Sequence, residues 1–201
     1  MKLYYSPGAC SLAPHIAMRE AGIAVDLKKV DLKAKQVDGS DYKQVNGKGY
    51  VPAIAMDDGT VLTECPVILQ YLADQKPESG LAPKPGDAAR YKLQEMLNFI
   101  TSELHKGMGT FFNPAVTEDW RKAASDRLTL RLDWLAKQLD GKQYAMGDKF
   151  TVADAYLFTI LNWAPMVKFD LGRWPVLGAY QKRVAGRPKV QEALKAEGLV
   201  K

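Results

Sequence analysis

The chain has 201 residues, of which 47% are hydrophobic and 25% charged, and its formal net charge is +5. This size and composition are typical of one large or two small globular domains. No apolar run reaches the roughly 18–20 residues that cross a bilayer, and the first residues lack the apolar stretch of a secretory signal. We therefore expect a cytoplasmic protein that does not contact membranes. The basic residues are scattered and do not interleave with aromatic ones, which argues against nucleic acid as a partner.

The chain contains two cysteines and two histidines, namely Cys10, Cys65, His15 and His105. Two cysteines are too few for a disulfide framework, and the four residues lack the paired spacing of a zinc site. We therefore expect no bound metal. The cysteines serve either thiol chemistry or the core, where free cysteine is a common small residue. Residue type alone favours the core, so position has to decide.

The first 75 residues alternate between strand and helix patterns. Ser11 is a candidate N-cap for the first helix, and Gly22 is its predicted end. An Asp-Asp-Gly turn between two apolar runs predicts a β-hairpin. The predicted elements are a strand at 2–5, a helix at 11–21, a strand at 25–30, hairpin strands at 51–56 and 60–62, and a helix at 66–73, with no assignment for 31–50.

Residues 76–88 hold three prolines and two glycines, which predicts a linker. Beyond it the apolar spacing is helical at 87–112, 117–139, 151–168, 175–185 and 188–196. Thr151 and Asp154 have the spacing of a capping box at the start of the third of these helices. The order predicts an α/β domain at 1–77, a linker at 78–87 and an all-α domain at 88–201.

Cys10 follows the first predicted strand and a Pro-Gly turn, at the start of the first predicted helix. The free N–H groups and the dipole of a helix N-terminus stabilise an anion, so we expect the pKa of this thiol to be depressed. A purely structural cysteine does not need this location. The location leaves the functional and structural interpretations evenly balanced.

Pro52 stands at the start of a predicted strand, where a proline costs no sheet hydrogen bond. If the Val51–Pro52 peptide bond is cis, the Val51 backbone groups turn outward and can pair with an extended peptide. The alternative is an ordinary turn proline, because sequence does not reveal a cis bond.

Thr63 and Glu64 precede the next predicted helix. Glu64 could bind the amine of a ligand while the N–H groups of the helix bind its carboxylate, or both residues could simply cap the helix. Lys35 and Lys48 are nearby bases that could meet another carboxylate, or remain solvated on the surface.

Asn98, Ser102 and His105 recur at i, i+4 and i+7 in the first helix after the linker, so we predict that they share one face. Such a face could line a site or be solvated. Histidine has an ordinary pKa near 6.5, so His105 could assist or hydrogen-bond a thiolate.

Taken together, these residues resemble the cytosolic glutathione transferase family and, within it, the bacterial beta class. The matching segments are KLYYSPGACSLAPH, GYVPAI, DDGTVLTE, LNFITSELHKG and FTVADAYLF, which lie in the expected order along nearly the whole chain. The resemblance implies a thioredoxin-like N-terminal domain, with a mixed four-stranded sheet and helices, followed by a C-terminal helical bundle. It also implies a homodimer.

The resemblance further implies an enzyme of detoxification that transfers reduced glutathione, its co-substrate, to small hydrophobic electrophiles. Cys10 and His105 are the implied catalytic residues, with Cys10 at the glutathione sulfur. An enzymatic alternative is a thiol–disulfide reductase, peroxidase or dehalogenase in which Cys10 attacks. A further alternative is a non-catalytic adaptor with the same fold, for which these residues would have no chemical use.

The implied glutathione-binding residues come from both domains. Val51, ahead of Pro52, pairs with the peptide backbone, and Lys35 lies near the glycyl end. Glu64 and Cys65 hold the γ-glutamyl end, although the family usually has serine or glycine at Cys65, and a thiol is a weaker hydrogen-bonding group than a hydroxyl. The helical domain contributes, from the same chain or across a dimer interface, Asn98, Ser102, Glu103, Leu104 and His105.

The sequence says least about which residues line the pocket for the electrophile. Aromatic and methionine side chains of the helical domain could line it, although such residues in helices more often belong to the core. The candidates are Met108, Phe111, Phe112, Trp163 and Met166.

Overall fold

The computed structural model describes residues 1–201. Its N-terminal part is a sheet flanked by two helices, α1 and α2, and residues 42–44 form a short 3₁₀ turn. The elements are β1 (Lys2–Tyr5), α1 (Leu12–Glu20), β2 (Asp26–Asp31), β3 (Gln36–Val37), β4 (Ser40–Asp41), β5 (Ala53–Ala55), β6 (Val61–Thr63) and α2 (Cys65–Gln75).

The sheet is mixed, in the order β4-β3-β2-β1-β5-β6. β1 and β2 run parallel with α1 as their crossover, and every other neighbouring pair is antiparallel. Leu3 of β1 is aligned with Leu27 on one side and Ile54 on the other. The predicted mixed sheet is confirmed, but it has six strands and not four, because the unassigned segment adds a hairpin of two two-residue strands, β3 and β4, at its edge.

The turn before α1 is closed by Ser11. Its backbone is already helical, and its hydroxyl makes no capping hydrogen bond. Instead Ser11 Oγ accepts from Ser6 N at 3.1 Å and donates to Ser6 O at 3.2 Å. The predicted Ser11 cap is therefore wrong, because the hydroxyl bridges the two ends of the loop that carries Cys10. Gly22, with φ +67°, follows the helix as predicted.

The linker between the two parts is held by a buried arginine. Arg90 forms two hydrogen bonds of 2.8 Å with the carboxylate of Asp74, at the end of α2. It also donates to Pro83 O in the linker at 3.0 Å. A guanidinium fork matches a carboxylate in this way, so one side chain joins the sheet domain, the linker and the first helix beyond it.

The C-terminal part is helical, with α3 (Ala88–Phe99), a π-helical stretch (Ile100–His105), α4 (Lys106–Gly109), α5 (Glu118–Leu139), α6 (Val152–Leu161), α7 (Pro175–Ala185) and α8 (Pro188–Ala196). The predicted continuous helix at 87–112 is wrong, because its centre widens into a π-helix. None of the helices is both long and apolar enough to span a membrane.

The helix predicted at 151–168 ends at Leu161 and is followed by turns. Pro165 has no N–H to continue a helix and disfavours helical backbone in the residue before it, which explains the early end. The predicted capping box is confirmed, since Thr151 and Asp154 bond each other's backbone at the start of α6. Every residue of α6 is buried, so it is the central helix of the molecule.

A single hydrophobic core runs through both parts. α1 packs against α6 and α8, and α2 also contacts α6. A smaller apolar cluster on the other side of the sheet contains Tyr42 and Val51. Because α1 is sandwiched between the sheet and the helical part, the loop at its start lies at the boundary between them. That boundary is where the candidate site is found.

Candidate active site

A cavity of about 420 Å³ lies between the loops of the sheet domain and the π-helical stretch and α6 of the helical part. Seven of the eleven residues predicted to bind glutathione line it: Cys10, Lys35, Val51, Pro52, Glu64, Cys65 and His105. They come from five separate segments of the chain, which only the tertiary fold brings together.

Four other predicted site residues lie outside this cavity. Ser102 is solvent-facing and donates from its hydroxyl to Asn98 O at 3.0 Å. Glu103 accepts from Arg131 Nε at 2.6 Å and pairs with Arg127 at 3.2 Å, while Leu104 is fully buried in the core.

The widened π-helical turn explains this difference. It presents Thr101 and His105 to the cavity, so the predicted common face of Asn98, Ser102 and His105 is wrong for a single chain. A role for Asn98, Ser102, Glu103 and Leu104 at a dimer interface stays a prediction.

The Cys10 thiol donates to Val51 O at 3.1 Å, and the Val51–Pro52 peptide bond is cis. Burial raises the pKa of the Cys10 thiol to about 12, while the backbone N–H groups of Cys10 and Ser11 lower it by less, and Glu64 raises it further. The depressed pKa expected from the helix start is therefore wrong, because desolvation outweighs the helix terminus. At neutral pH this side chain is a thiol and acts as a hydrogen-bond donor.

His105 makes a hydrogen bond between its Nδ1 and the hydroxyl of Tyr156 at 2.6 Å. Burial, followed by the charge of Lys106, lowers the pKa of His105 to about 4, and burial raises the pKa of the Tyr156 hydroxyl. The phenol therefore keeps its proton and can donate it to Nδ1, which leaves the imidazole proton on Nε2. His105 is then a neutral donor at pH 7.

The opposite end of the cavity is charged. Glu64 forms an ion pair with Lys48, whose ammonium also donates to Thr63 Oγ1 at 2.8 Å. Lys35 donates to Gly49 O at 3.0 Å. Glu64 has φ +70°, a left-handed conformation that costs a non-glycine residue on the order of 1 kcal/mol.

Neither Thr63 nor Glu64 makes a side-chain cap on α2, so the capping alternative is wrong. Both carboxylate and ammonium groups thus remain at the mouth of the cavity.

Cys65 is the first residue of α2 and is buried. Its thiol donates to Cys10 O at 3.7 Å. Burial, together with Cys10 and Glu64, raises the pKa of Cys65 well above its ordinary value. This residue is therefore a protonated neighbour of the Cys10 backbone and not a readily ionised second thiol.

The helical part contributes four cavity residues that were not among the predicted glutathione-binding residues: Thr101, Lys106, Tyr156 and Trp163. Tyr156 lies in an otherwise apolar helix, and a buried phenol needs a partner, which was the available signal. Trp163 was a candidate for the electrophile pocket. Of the other candidates, Met108 and Phe111 are buried in the core, and the exposed Phe112 and Met166 do not line this cavity.

The fold and the site define a class of protein, in which a thioredoxin-like sheet domain and a helical domain enclose a cleft with a cysteine at the start of the first helix. Two family models match the chain: the glutathione S-transferase N-terminal domain over residues 8–75 and the glutathione S-transferase C-terminal domain over residues 88–188. The chain belongs to the glutathione S-transferase family.

Individual relatives agree with this assignment. The chain is 46% identical to glutathione S-transferase GstA of Escherichia coli O157:H7 over 200 residues, which cover 99% of this chain and 100% of the relative. A sphingomonad glutathione S-transferase solved with glutathione is 47% identical, with a TM-score of 0.95 and full coverage of both chains. The beta-class enzyme of Sphingomonas chungbukensis is 50% identical, also with a TM-score of 0.95 and full coverage of both chains. The resemblance to the bacterial beta class is confirmed.

Proposed function

We propose that this glutathione transferase conjugates reduced glutathione to small electrophiles in the cavity at the domain boundary, with Cys10 and His105 as donors to the glutathione sulfur. The observation that carries the proposal is that four features line one cavity: a thiol donor, a neutral imidazole, an extended backbone segment and a charged mouth. An adaptor would have no chemical use for this combination.

The charges of the cavity match those of glutathione, which has two carboxylates and one ammonium group. We assign the γ-glutamyl ammonium to Glu64 and its carboxylate to the backbone N–H of Cys65, at the start of the eleven-residue helix α2. Lys35 is assigned to the glycyl carboxylate. Val51, ahead of Pro52, pairs with the peptide backbone as an added strand.

In the proposed mechanism the glutathione thiol loses its proton to solvent as it binds beside Cys10. The Cys10 S–H turns from Val51 O to the glutathione sulfur, and His105 Nε2–H is the second donor. A hydrogen bond to a charged group is worth about 1.5–3 kcal/mol, so each donor lowers the glutathione pKa by roughly one to two units. The thiolate then attacks the electrophilic carbon, forming a C–S bond while the leaving group departs with its electron pair.

The alternative in which Cys10 itself attacks, as in a reductase, peroxidase or dehalogenase, requires the Cys10 thiolate. The burial that holds the pKa of Cys10 near 12 makes this species scarce at neutral pH. Replacing Cys10 by alanine separates the two mechanisms. Conjugation should persist at a reduced rate because His105 remains, whereas nucleophilic chemistry by Cys10 should disappear.

The test is glutathione-dependent turnover of 1-chloro-2,4-dinitrobenzene, followed with E64Q and a matched control. E64Q removes the charge that pairs with Lys48, and E95Q removes an exposed carboxylate that pairs with Lys92, neither of which lines the cavity. We expect E64Q to raise KM for glutathione about tenfold, the effect of losing ~1.4 kcal/mol of binding, and E95Q to leave it unchanged. Absence of glutathione-dependent turnover with every electrophile tried would contradict the proposal.

The homodimer is part of the same proposal. Tyr91 of α3 is 62% exposed and Trp134 of α5 is 41% exposed, and exposed aromatic side chains of this size favour a protein interface. Asn98 and Ser102 also lie on α3 or just after it, where a partner subunit could approach. Sedimentation equilibrium should yield twice the 22.3 kDa of one chain.

Two further assignments belong to this proposal. The division into domains at 1–77 and 88–201 with a linker at 78–87 is supported by the end of α2 at Gln75 and the start of α3 at Ala88. A cytoplasmic location is proposed from the family, with glutathione and a small electrophile as the ligands and no metal.

A further inference from the structure

The backbone of Gly8 is held on both sides by the helical domain. Its N–H donates to Glu197 Oε2 at 2.9 Å, and its carbonyl accepts from Trp163 Nε1 at 2.8 Å. Glu197 follows α8 and Trp163 follows α6, so both partners are distant in sequence. Gly8 stands two residues before Cys10, in the loop that sets the position of the thiol.

Glu197 is also braced against α1 itself. Its second carboxylate oxygen lies 2.9 Å from His15 Nδ1, and both side chains are fully buried. Arg19 Nε in turn donates to His15 Nε2 at 3.4 Å. Burying a carboxylate is costly unless it is paired and hydrogen-bonded, so this residue needs both of its partners. One carboxylate therefore connects the loop before Cys10 to the helix after it.

The loop between these anchors has little freedom. Ala9 N donates to Ser6 O at 3.0 Å and Leu12 N donates to Ala9 O at 2.9 Å, while Ser11 Oγ bridges back to Ser6. Gly8 itself has φ +71°, a conformation that glycine adopts without penalty. A displacement of Gly8 must therefore carry Cys10 with it, away from its 3.1 Å contact with Val51 O.

Trp163 extends the connection to the other proposed catalytic residue. Its ring lies edge-on to the imidazole of His105, with 4.9 Å between centroids, and it lines the cavity. Glu197 does not line the cavity. Trp163 thus contacts both the loop that carries Cys10 and the imidazole of His105 inside the site. Glu197 contacts the same loop from outside the cavity.

We propose that Glu197 is a positioning residue, which holds the Gly8 backbone and α1 so that the Cys10 thiol points at the glutathione sulfur. This inference rests on the proposed function for its kinetic consequence, although the placement of the thiol can be measured without turnover. Glu197 is one of the last five residues of the chain, whereas Cys10 is near its start.

The chain offers a matched control at the other end of α1. Glu20 pairs with Arg187 through two hydrogen bonds of 2.7 and 2.8 Å, so this ion pair also joins α1 to the start of α8. E197A and E20A each remove one largely buried carboxylate between the same two helices. Only E197A removes the acceptor of the Gly8 N–H.

The experiment measures three quantities for E197A, E197D, E197Q and E20A: the free energy of unfolding in urea, kcat and KM for glutathione conjugation, and the rate at which iodoacetamide modifies Cys10. Peptide mapping separates Cys10 from Cys65. We expect E197A to lower kcat by roughly 10–100-fold, the usual effect of misplacing a catalytic group by about 1 Å, with KM changed less than threefold. Alkylation of Cys10 should become at least threefold faster because the thiol leaves its protected position.

E197Q keeps an oxygen that can accept from Gly8 N–H, so it should recover kcat to within about threefold of the parent. E197D is shorter by one methylene and should lie between the two, which provides a folded variant even if E197A does not fold. E20A should lose stability but keep both kcat and the alkylation rate within twofold.

Equal kcat and equal alkylation rates in folded E197A, or E197D, and E20A would overturn the proposal, because the two ion pairs would then be only structural. Failure of the proposed function appears differently, as an absence of turnover in the parent protein, and it leaves the alkylation comparison intact.

Discussion

The protonation state of Cys10 is the most direct test of the site chemistry, because two physical effects predict opposite results. The start of a helix should lower the pKa of a thiol, whereas burial raises the pKa of Cys10 from its ordinary 9.0 to about 12. The ratio of thiolate to thiol changes tenfold per pH unit, so this difference of three leaves about a thousandfold less thiolate at pH 7. A reaction that consumes the thiolate should be slowed accordingly.

The assay is the rate of carboxamidomethylation of Cys10 by iodoacetamide between pH 6 and 10, without glutathione and with free cysteine as the reference. We expect a rate at pH 7 at least a hundredfold below that of free cysteine, a figure that allows for the higher intrinsic reactivity of a more basic thiolate. The rate should rise tenfold per pH unit without a plateau up to pH 10. A plateau with a midpoint below pH 8.5 would refute the reasoning, because the helix terminus would then outweigh burial.

Three further predictions concern groups around the site. Burial lowers the pKa of His105 to about 4, so as the pH drops from 6.5 to 4 the imidazole is protonated in the unfolded chain before it is in the folded one, and the free energy of unfolding should fall by about 2–3 kcal/mol. The free energies of urea unfolding of the parent and H105Q should diverge in that pH window and nowhere else. D154A leaves the N–H groups of Ala145 and Thr151 without their acceptor and should cost about 3–5 kcal/mol in the same measurement; a loss below 1 kcal/mol would contradict the capping role. R90K replaces a two-bond fork to Asp74 by a point charge and should cost about 1.5–3 kcal/mol, whereas K92A, on the exposed face of the same helix, should stay within 0.5 kcal/mol by thermal or urea unfolding.

Local patterns predicted most elements correctly because the forces that determine them act between near neighbours. The Asp-Asp-Gly turn indicated the hairpin of β5 and β6, and Thr151 with Asp154 indicated the start of α6. The same reasoning was wrong at Ser11. Its hydroxyl could bond either to the first N–H groups of α1 or to the backbone of Ser6, and it bonds to Ser6 and closes the loop. It was also wrong after Leu161, where Pro165 ends the helical pattern early.

In the candidate site, the sequence identified some residues correctly and assigned others to the wrong face of a helix. Residue types and their order identified Cys10, Val51, Glu64 and His105, because the resemblance to the family lies in those motifs. The regular period of an α-helix could not predict that residues 100–105 form a π-helix, so it assigned Asn98 and Ser102 to the face of His105.

The sequence by itself determined which residues are candidates for the chemistry, where the chain changes from a mixed sheet to helices, and which family it belongs to. Only the tertiary structure decided the electrostatic state of the site. The pKa of Cys10 depends on how completely the surrounding chain excludes water, and the neutral state of His105 depends on its burial beside Tyr156, fifty-one residues away. The hold on Gly8 by Glu197, 189 residues along the chain, is likewise invisible to any local pattern. Propensities act over a few residues, whereas desolvation and buried hydrogen bonds depend on everything that packs around a group.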